Sequence, residues 1–174
     1  KINREKNILK HLVDSIPEAI VLIDRDGIIS NMNKEFTSMF GYTREEVIGK
    51  NVDELITPDY LRNESYDLEL VRKKGRLIKN TIRHDKEGNL INVSLTAVSL
   101  TTNDETAAYM NIYRNITQER KTQIIQEIVY NISTAALNQT EIKDIYATIV
   151  RELSKIWDTN NFFIALYDSK TDTL

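Results

Sequence analysis

The stretch from Ile20 to Asn33, IVLIDRDGIISNMN, constrains this chain most. Ile20, Val21, Leu22 and Ile23 form an apolar run, Asp26-Gly27 supplies a positive-φ turn, and Ile28 and Ile29 resume the run, so the stretch predicts a β-hairpin. Asn31 and Asn33 are candidate N-caps for a following helix. Phe36, Met39 and Phe40 fall at i, i+3 and i+4 there, which gathers three large side chains on one face before Gly41 stops the helix. Asp24 and Asp26 lie close enough to suggest paired carboxylates. Asp-x-Asp-Gly is turn chemistry first, however, because aspartates bond their own backbone.

On either side the pattern continues. Ile8, Leu9, Leu12, Val13 and Ile16 give Glu5 to Ile16 an amphipathic helical stripe that Pro17 ends. Thr43-Arg44-Glu45-Glu46 matches a capping box, Asp53 to Ile56 predicts another turn, and Leu61, Leu68, Leu70 and Val71 predict a longer helix over Tyr60 to Lys73, closed by Gly75. Alternation predicts a strand over Ile78 to Arg83, with Ile78, Asn80 and Ile82 on one face. A turn at Asp85 to Asn89 leads to a second strand, Leu90 to Leu100, in which Ile91, Val93, Leu95 and Ala97 share a face. Thr101 to Glu105 reads as a turn and Ala107 to Arg114 as the last strand. The order strand, strand, short helices, three strands is an α+β sheet with its helices on one face.

Composition narrows what such a sheet does. The 174 residues, 41% hydrophobic and 28% charged, allow one domain of roughly 100 residues with appended pieces. A net charge of -3 supplies no field for nucleic acid or an anionic membrane, and Arg72-Lys73-Lys74-Gly75-Arg76 reads as a solvated loop. No run approaches the roughly 18 apolar residues of a membrane span, and Lys1 has no signal core behind it; we expect a cytoplasmic piece of a longer chain. With no cysteine there are no disulfides, thiolate nucleophiles or Cys-ligated metals. His11 and His84 have no motif-placed partner, and neither a phosphate-cradling loop nor zinc or calcium spacing is present. No catalysis and no metal site are expected.

Three segments carry a resemblance. SIPEAIVLIDRDGIISNMNKEF, FGYTREEVIGKN and YRNITQERK make the stretch from about Glu5 to Lys121 similar to a PAS domain. Gly41 to Glu46 and Gly49-Lys50-Asn51 match that family's helix-crossing motif in residue type. Asn115-Ile116-Thr117 stands where the family usually carries Asp-Ile-Thr before an output helix, so the charge at that position is lost. The resemblance implies a PAS fold, a sensory or regulatory role, and signal relay through Asn115, Ile116 and Thr117. Family relatives that bind flavin covalently use a cysteine, which excludes that adduct here. Those that bind haem offer a histidine from the long helix, and Tyr60 to Lys73 has none, so haem is disfavoured.

Beyond Thr117, Ile125, Ile128, Ile132 and Ala135 recur at threes and fours, the seam of a coiled coil. The plain alternative is a helix packing on its own sheet. From Gln139, with Thr140 as a cap, ALNQTEIKDIYATIVRELSKIW and NFFIALYDSKTDTL resemble the first helix and first strand of a GAF domain, the strand being Phe162 to Tyr167. The expected organisation is an N-terminal amphipathic helix over 1–17, a PAS domain over 18–116, a signalling helix over 117–138 and a truncated GAF start over 139–174.

The candidate ligand pocket lies between the sheet's inner face and the short helices, lined by Phe36, Phe40, Tyr42, Ile82, Val93, Leu95, Tyr109, Asn111 and Tyr113. Asn111 and Tyr113 carry polar tips inward and need partners; a filled apolar core is the alternative. Two readings follow: a sensor that relays a signal to a downstream output domain, histidine kinase being the expected class, or a ligand-free scaffold that only pairs and spaces its neighbours. Either is expected as a homodimer, through the leading helix, through Ile125, Ile128 and Ile132, or both.

Overall fold

The computed structural model describes residues 2–64, 68–102, 105–138 and 141–157. The chain divides into two compact units, Lys1–Gln118 and Glu119–Leu174. In the first, helix α1 (Ile2–Asp14) precedes β1 (Ala19–Ile23), β2 (Ile29–Met32), α2 (Lys34–Phe40), α3 (Arg44–Val47) and α4 (Val52–Ile56). A 3-10 segment (Asp59–Glu64), α5 (Leu68–Lys74) and strands β3 (Arg76–His84), β4 (Leu90–Thr102) and β5 (Glu105–Asn115) follow. The sheet is antiparallel with spatial order β2-β1-β5-β4-β3. This is the α+β architecture expected, a PAS fold with α2 to α5 over one face of the sheet.

The hairpin is held by Asp24, whose Oδ1 accepts from the amides of Asp26 and Ile28, each at 2.9 Å. Gly27 takes φ 78, and a Cβ there would stand 3.0 Å from the Asn51 amide nitrogen, so the turn needs glycine on two counts. That amide nitrogen donates to Asp26 O at 2.8 Å. The Gly49–Val52 segment also bonds the backbone of Gly27 and Ile29, which closes the β2 edge against pairing with another chain.

Of the two candidate caps, Asn33 is the one used, and it does more than cap. Its Oδ1 accepts from Phe36 N at 3.1 Å and Ile20 N at 2.9 Å, while its Nδ2 donates to Glu18 O at 2.9 Å and Val13 O at 3.2 Å. The residue is 2% exposed, and its one side chain satisfies four backbone groups, the amides of Ile20 and Phe36 among them buried. Behind it Phe36 and Phe40 are fully buried, with Val47, Val52, Ile56 and Val71 closing the core over Val21, Ile23, Val93, Leu95 and Ala97.

The strands run longer than the sequence predicts. β4 pairs with β5 out to Thr102↔Glu105, so Thr101, Thr102 and Glu105, expected in a turn, lie in strands, and residues 103 and 104 lie outside the described ones. The predicted long helix over Tyr60 to Lys73 is replaced by the 3-10 segment and the separate α5. Between Leu61 and Leu68 the sequence offers no apolar residue at i+3 or i+4, so no continuous stripe holds one helix there. Residues 65–67 lie outside the described ones.

In the second unit, α6 (Thr117–Asn138), which begins at the end of the first, is followed by α7 (Ile142–Leu153). Asn131 Nδ2 donates to Glu152 Oε2 at 3.0 Å, and Lys155 reaches Glu127, so the two helices run antiparallel. Glu141 holds the extended cap position before α7. Thr140 and the expected strand Phe162 to Tyr167 lie outside the described residues.

Replacing Asn33 by alanine is expected to lower the unfolding free energy by about 2–4 kcal/mol, the sum of a lost cap and a buried amide left without its acceptor. Urea denaturation measures it, and an unchanged midpoint with unchanged slope would contradict the role given to Asn33.

Candidate functional site

The inner face of the sheet is built by register. Leu95 stands opposite Tyr113 and Ala97 opposite Asn111, so these side chains share the face on which Val93 and Ile91 are buried. Tyr109, Asn111 and Tyr113 follow in alternation on β5 and are 4%, 0% and 0% exposed. Phe36 and Phe40 lie 4.9 Å apart between ring centroids, and Phe40 meets Tyr113 edge-on at 5.4 Å. Tyr42 is half-buried beside this cluster, its hydroxyl donating to Leu55 O at 3.1 Å.

Seven of the nine residues expected around a pocket are therefore in or against one core cluster, and Asn111 is buried on the same face of β5. Ile82 is the exception. It pairs with Asn92, on the face opposite Val93 and Leu95, and Ile78 on the same side is exposed. The inward residues of β3 are instead Leu77, Lys79, Thr81 and Arg83, opposite Ala97, Leu95, Val93 and Ile91. Alternation within β3 does not distinguish its two faces, because polar residues occupy both. Counting through the turn does: with His84 opposite Leu90, Arg83 must face the same way as Ile91.

The polar groups on this face are close to one another. Asn111 Nδ2 donates to Tyr113 Oη at 3.3 Å. Burial pushes the Tyr113 phenol up to about 12, against the opposing effect of the nearby Arg83 charge, so it is a neutral hydroxyl at physiological pH. Arg83 is 4% exposed. Its Nη1 donates to Ile82 O at 2.8 Å and Thr81 Oγ1 at 3.2 Å. From the helical side, buried Thr57 donates its hydroxyl to Asp53 Oδ1 at 3.0 Å. Arg83, Thr57 and Asp53 were not among the expected pocket residues.

The exit from the sheet is a second constellation. Asn115 Oδ1 accepts from Thr117 N at 2.9 Å and so caps the first turn of α6. Thr117 does not cap; its hydroxyl accepts from Asn92 N at 3.1 Å, and Ile116 N donates to Asn92 O at 2.8 Å. Ile116 is buried. The joint is thus bonded to β4 on both sides of a buried anchor.

A profile for the PAS fold matches residues 7–124. The chain belongs to the PAS family. It is 31% identical over 123 residues to the cell-division control histidine kinase PdhS of Brucella ovis and of Brucella canis, a match that covers 66% of this chain and 11% of each relative. The chain therefore spans about a tenth of the length of those kinases. Among solved structures it resembles the PAS domain of a Colwellia psychrerythraea protein, with TM-score 0.58, 25% identity, and 68% and 99% of the two chains covered. It also resembles a PAS domain from a two-component sensor histidine kinase, with TM-score 0.57, 17% identity, and 66% and 99% covered. The PAS unit is thus homologous to a stretch of those histidine kinases. Among the described residues no helix is long and apolar enough to cross a membrane, and no group of three or more His, Cys, Asp or Glu is placed to hold a metal.

An electrostatic pin holds α3 over this PAS core. Glu46 forms the capping box with Thr43, accepting from its amide at 2.9 Å, and pairs with Lys86 of the β3–β4 turn, whose ammonium also lies 5.8 Å from the Tyr42 ring centroid. The Lys86 hydrogen bond, then the Thr43 amide, lower Glu46 from 4.5 to about 2. A carboxylate whose folded value is depressed stabilises the fold above its unfolded value, and that stabilisation is lost as pH falls. Wild type is therefore expected to lose stability between pH 4.5 and about 2 from this source. Glu46→Gln should be less stable than wild type at pH 7 and converge with it toward pH 2, read from thermal melts across that range; parallel curves would contradict the pin.

Proposed function

We propose that this PAS unit senses a small molecule on the inner face of its sheet and relays the result through α6 to an output domain of a cytoplasmic signalling protein, with a histidine kinase as the expected output. The observation that carries the reading is the joint at Asn115-Ile116-Thr117. Buried Asn111 and Tyr113 lie on the strand that continues without a loop into this joint, and the joint is bonded to β4 rather than left as a hinge. A change in how Asn111 and Tyr113 pack then acts on the base of a 22-residue helix. In this reading α7 would be the first helix of a GAF start. The aromatic packing of Phe36, Phe40 and Tyr113 favours the second reading, a solid scaffold that only pairs and spaces its neighbours.

Native mass spectrometry of freshly purified protein separates the two, since a retained small molecule supports sensing and an empty protein supports the scaffold. Relay is tested with spin labels at Ser30 and Gln126 of one chain. Asn115→Ala is expected to broaden their distance distribution, and an unchanged distribution would remove the joint from the relay.

Both readings use a dimer, and we place its seam on the residues left exposed. On α1 these are Ile8, Leu9 and Leu12, at 52%, 62% and 58% exposure. Leu9 also lines a groove of about 610 Å³ with Val13, Ile20, Leu22 and Met110. On α6 they are Ile124, Ile125 and Val129. This revises the expected seam: Ile128 is buried and Ile132 half-buried, on the side of α6 where Asn131 meets α7. Sedimentation should show a dimer that Leu9→Asp or Ile125→Asp weakens by tenfold or more, on the scale of about 1.4 kcal/mol per decade. A wild-type monomer at tens of micromolar would end the proposal.

A further inference from the structure

We propose that the inner face of the PAS sheet binds a small monocarboxylate, held by the guanidinium of Arg83 with the Tyr113 hydroxyl and the Asn111 amide beside it. The inference rests on the sensing reading above and names the chemical class of its ligand.

Arg83 is a cation in the wrong solvent. Its position opposite Ile91 turns it toward the core, and it is 4% exposed. Its Nη1 donates to the neighbouring Thr81 hydroxyl and Ile82 carbonyl and the guanidinium also reaches the Tyr113 hydroxyl, while Nε is buried without an acceptor. Among the described residues Arg83 makes no ion pair. A buried charge is strongly unfavourable unless it is both paired and hydrogen-bonded, and guanidinium presents a planar fork that matches a carboxylate edge.

The groups around it select the anion. Tyr113 keeps its proton and Asn111 has amide hydrogens, so both add donors rather than a competing negative charge. Asp53, the acidic residue whose charge reaches Tyr113, is bonded to Thr57 and would oppose a second negative charge on the ligand. One strong cation, neutral donors and a carboxylate nearby favour a monoanion. Phe36 and Phe40, packed on Tyr113, supply an apolar wall, and the near-complete burial of all these residues restricts the ligand to a short one. Position matters as much as charge: Asn111 and Tyr113 are the inward residues of β5 immediately before the joint to α6, so occupancy at Arg83 is read where the sheet passes into the helix.

The test uses the purified chain in low-chloride, phosphate-free buffer, with acetate, propionate, butyrate and benzoate, each beside its primary amide. Thermal melts and titration calorimetry are the readouts. At least one acid should raise the melting temperature where its amide does not, and Arg83→Met should weaken that acid by tenfold or more, the size of one charge-assisted hydrogen bond at about 1.4 kcal/mol per decade. Without ligand Arg83→Met should melt at or above wild type, since it removes a buried charge. If it fails to fold, Arg83→Lys replaces it; that variant keeps the charge, loses the fork, and should also weaken the acid. Binding unchanged in the variant, or an acid and its amide acting equally, would overturn the carboxylate while leaving a sensing pocket in place. No acid acting on wild type also overturns it, and an empty native mass spectrum in addition would remove the sensing reading itself.

Discussion

The four hydrogen bonds of the Asn33 side chain hold the PAS unit's first half together. The carboxamide accepts from the start of β1 and the first turn of α2, and donates to the end of α1 and the residue before β1. Asparagine is suited to this because its short side chain offers an acceptor oxygen and two donor hydrogens; aspartate would present an acceptor to two carbonyls, and serine has too few hydrogens. The main-chain amide of Asn33 adds a bond to Ile20 O at 3.0 Å. Since the residue is 2% exposed, water does not replace these bonds if they are lost. The placement of Phe36 and Phe40, and through Phe40 that of Tyr113, follows from it.

The second half depends on β4, which pairs with both β3 and β5. Its buried face, Ile91, Val93, Leu95 and Ala97, sets which residues of each neighbour point inward. The turn after β3 fixes that register: Asp85 accepts from the amides of Glu87 and Asn89 at 2.9 Å and from the Asn89 side chain at 2.8 Å, and the Asn89 side chain holds its carboxyl below the usual range. A slip of one residue would put Ile82 inside and Arg83 in solvent. The tight turn thus keeps a polar, cationic wall on a face that is otherwise aromatic and aliphatic, and that combination gives the face its chemistry.

Polar groups also organise the helical pair beyond the sheet. Glu152 is 3% exposed on α7. Hydrogen bonds from Asn131 and then Lys155 hold its carboxyl at about 2. With Thr148 buried on the same helix, the contact of α6 with α7 mixes polar and apolar groups, and such contacts fix register more strictly than a purely aliphatic seam.

Much of this was legible in the residues alone. The hairpin around Asp26-Gly27, the capped helix with Phe36 and Phe40, the capping box at Thr43, and the inward face of β4 and of β5 follow from local rules: turn geometry, caps and periodicity act within a few residues of themselves. Three matters were decided by contacts far apart in the chain. Both faces of β3 carry polar residues, so only pairing with β4 put Arg83 inward and Ile82 outward. The apolar stripe of α6 reads as a seam for another helix, but the tertiary structure turned Ile128 inward beside Asn131, which bonds α7, and left Ile124, Ile125 and Val129 outside. Asn31 and Asn33 are equivalent as caps by type, and only the approach of α1 and β1 gave one of them four backbone partners. A sequence determines what each segment wants to bury; which side meets which partner is set when the segments pack.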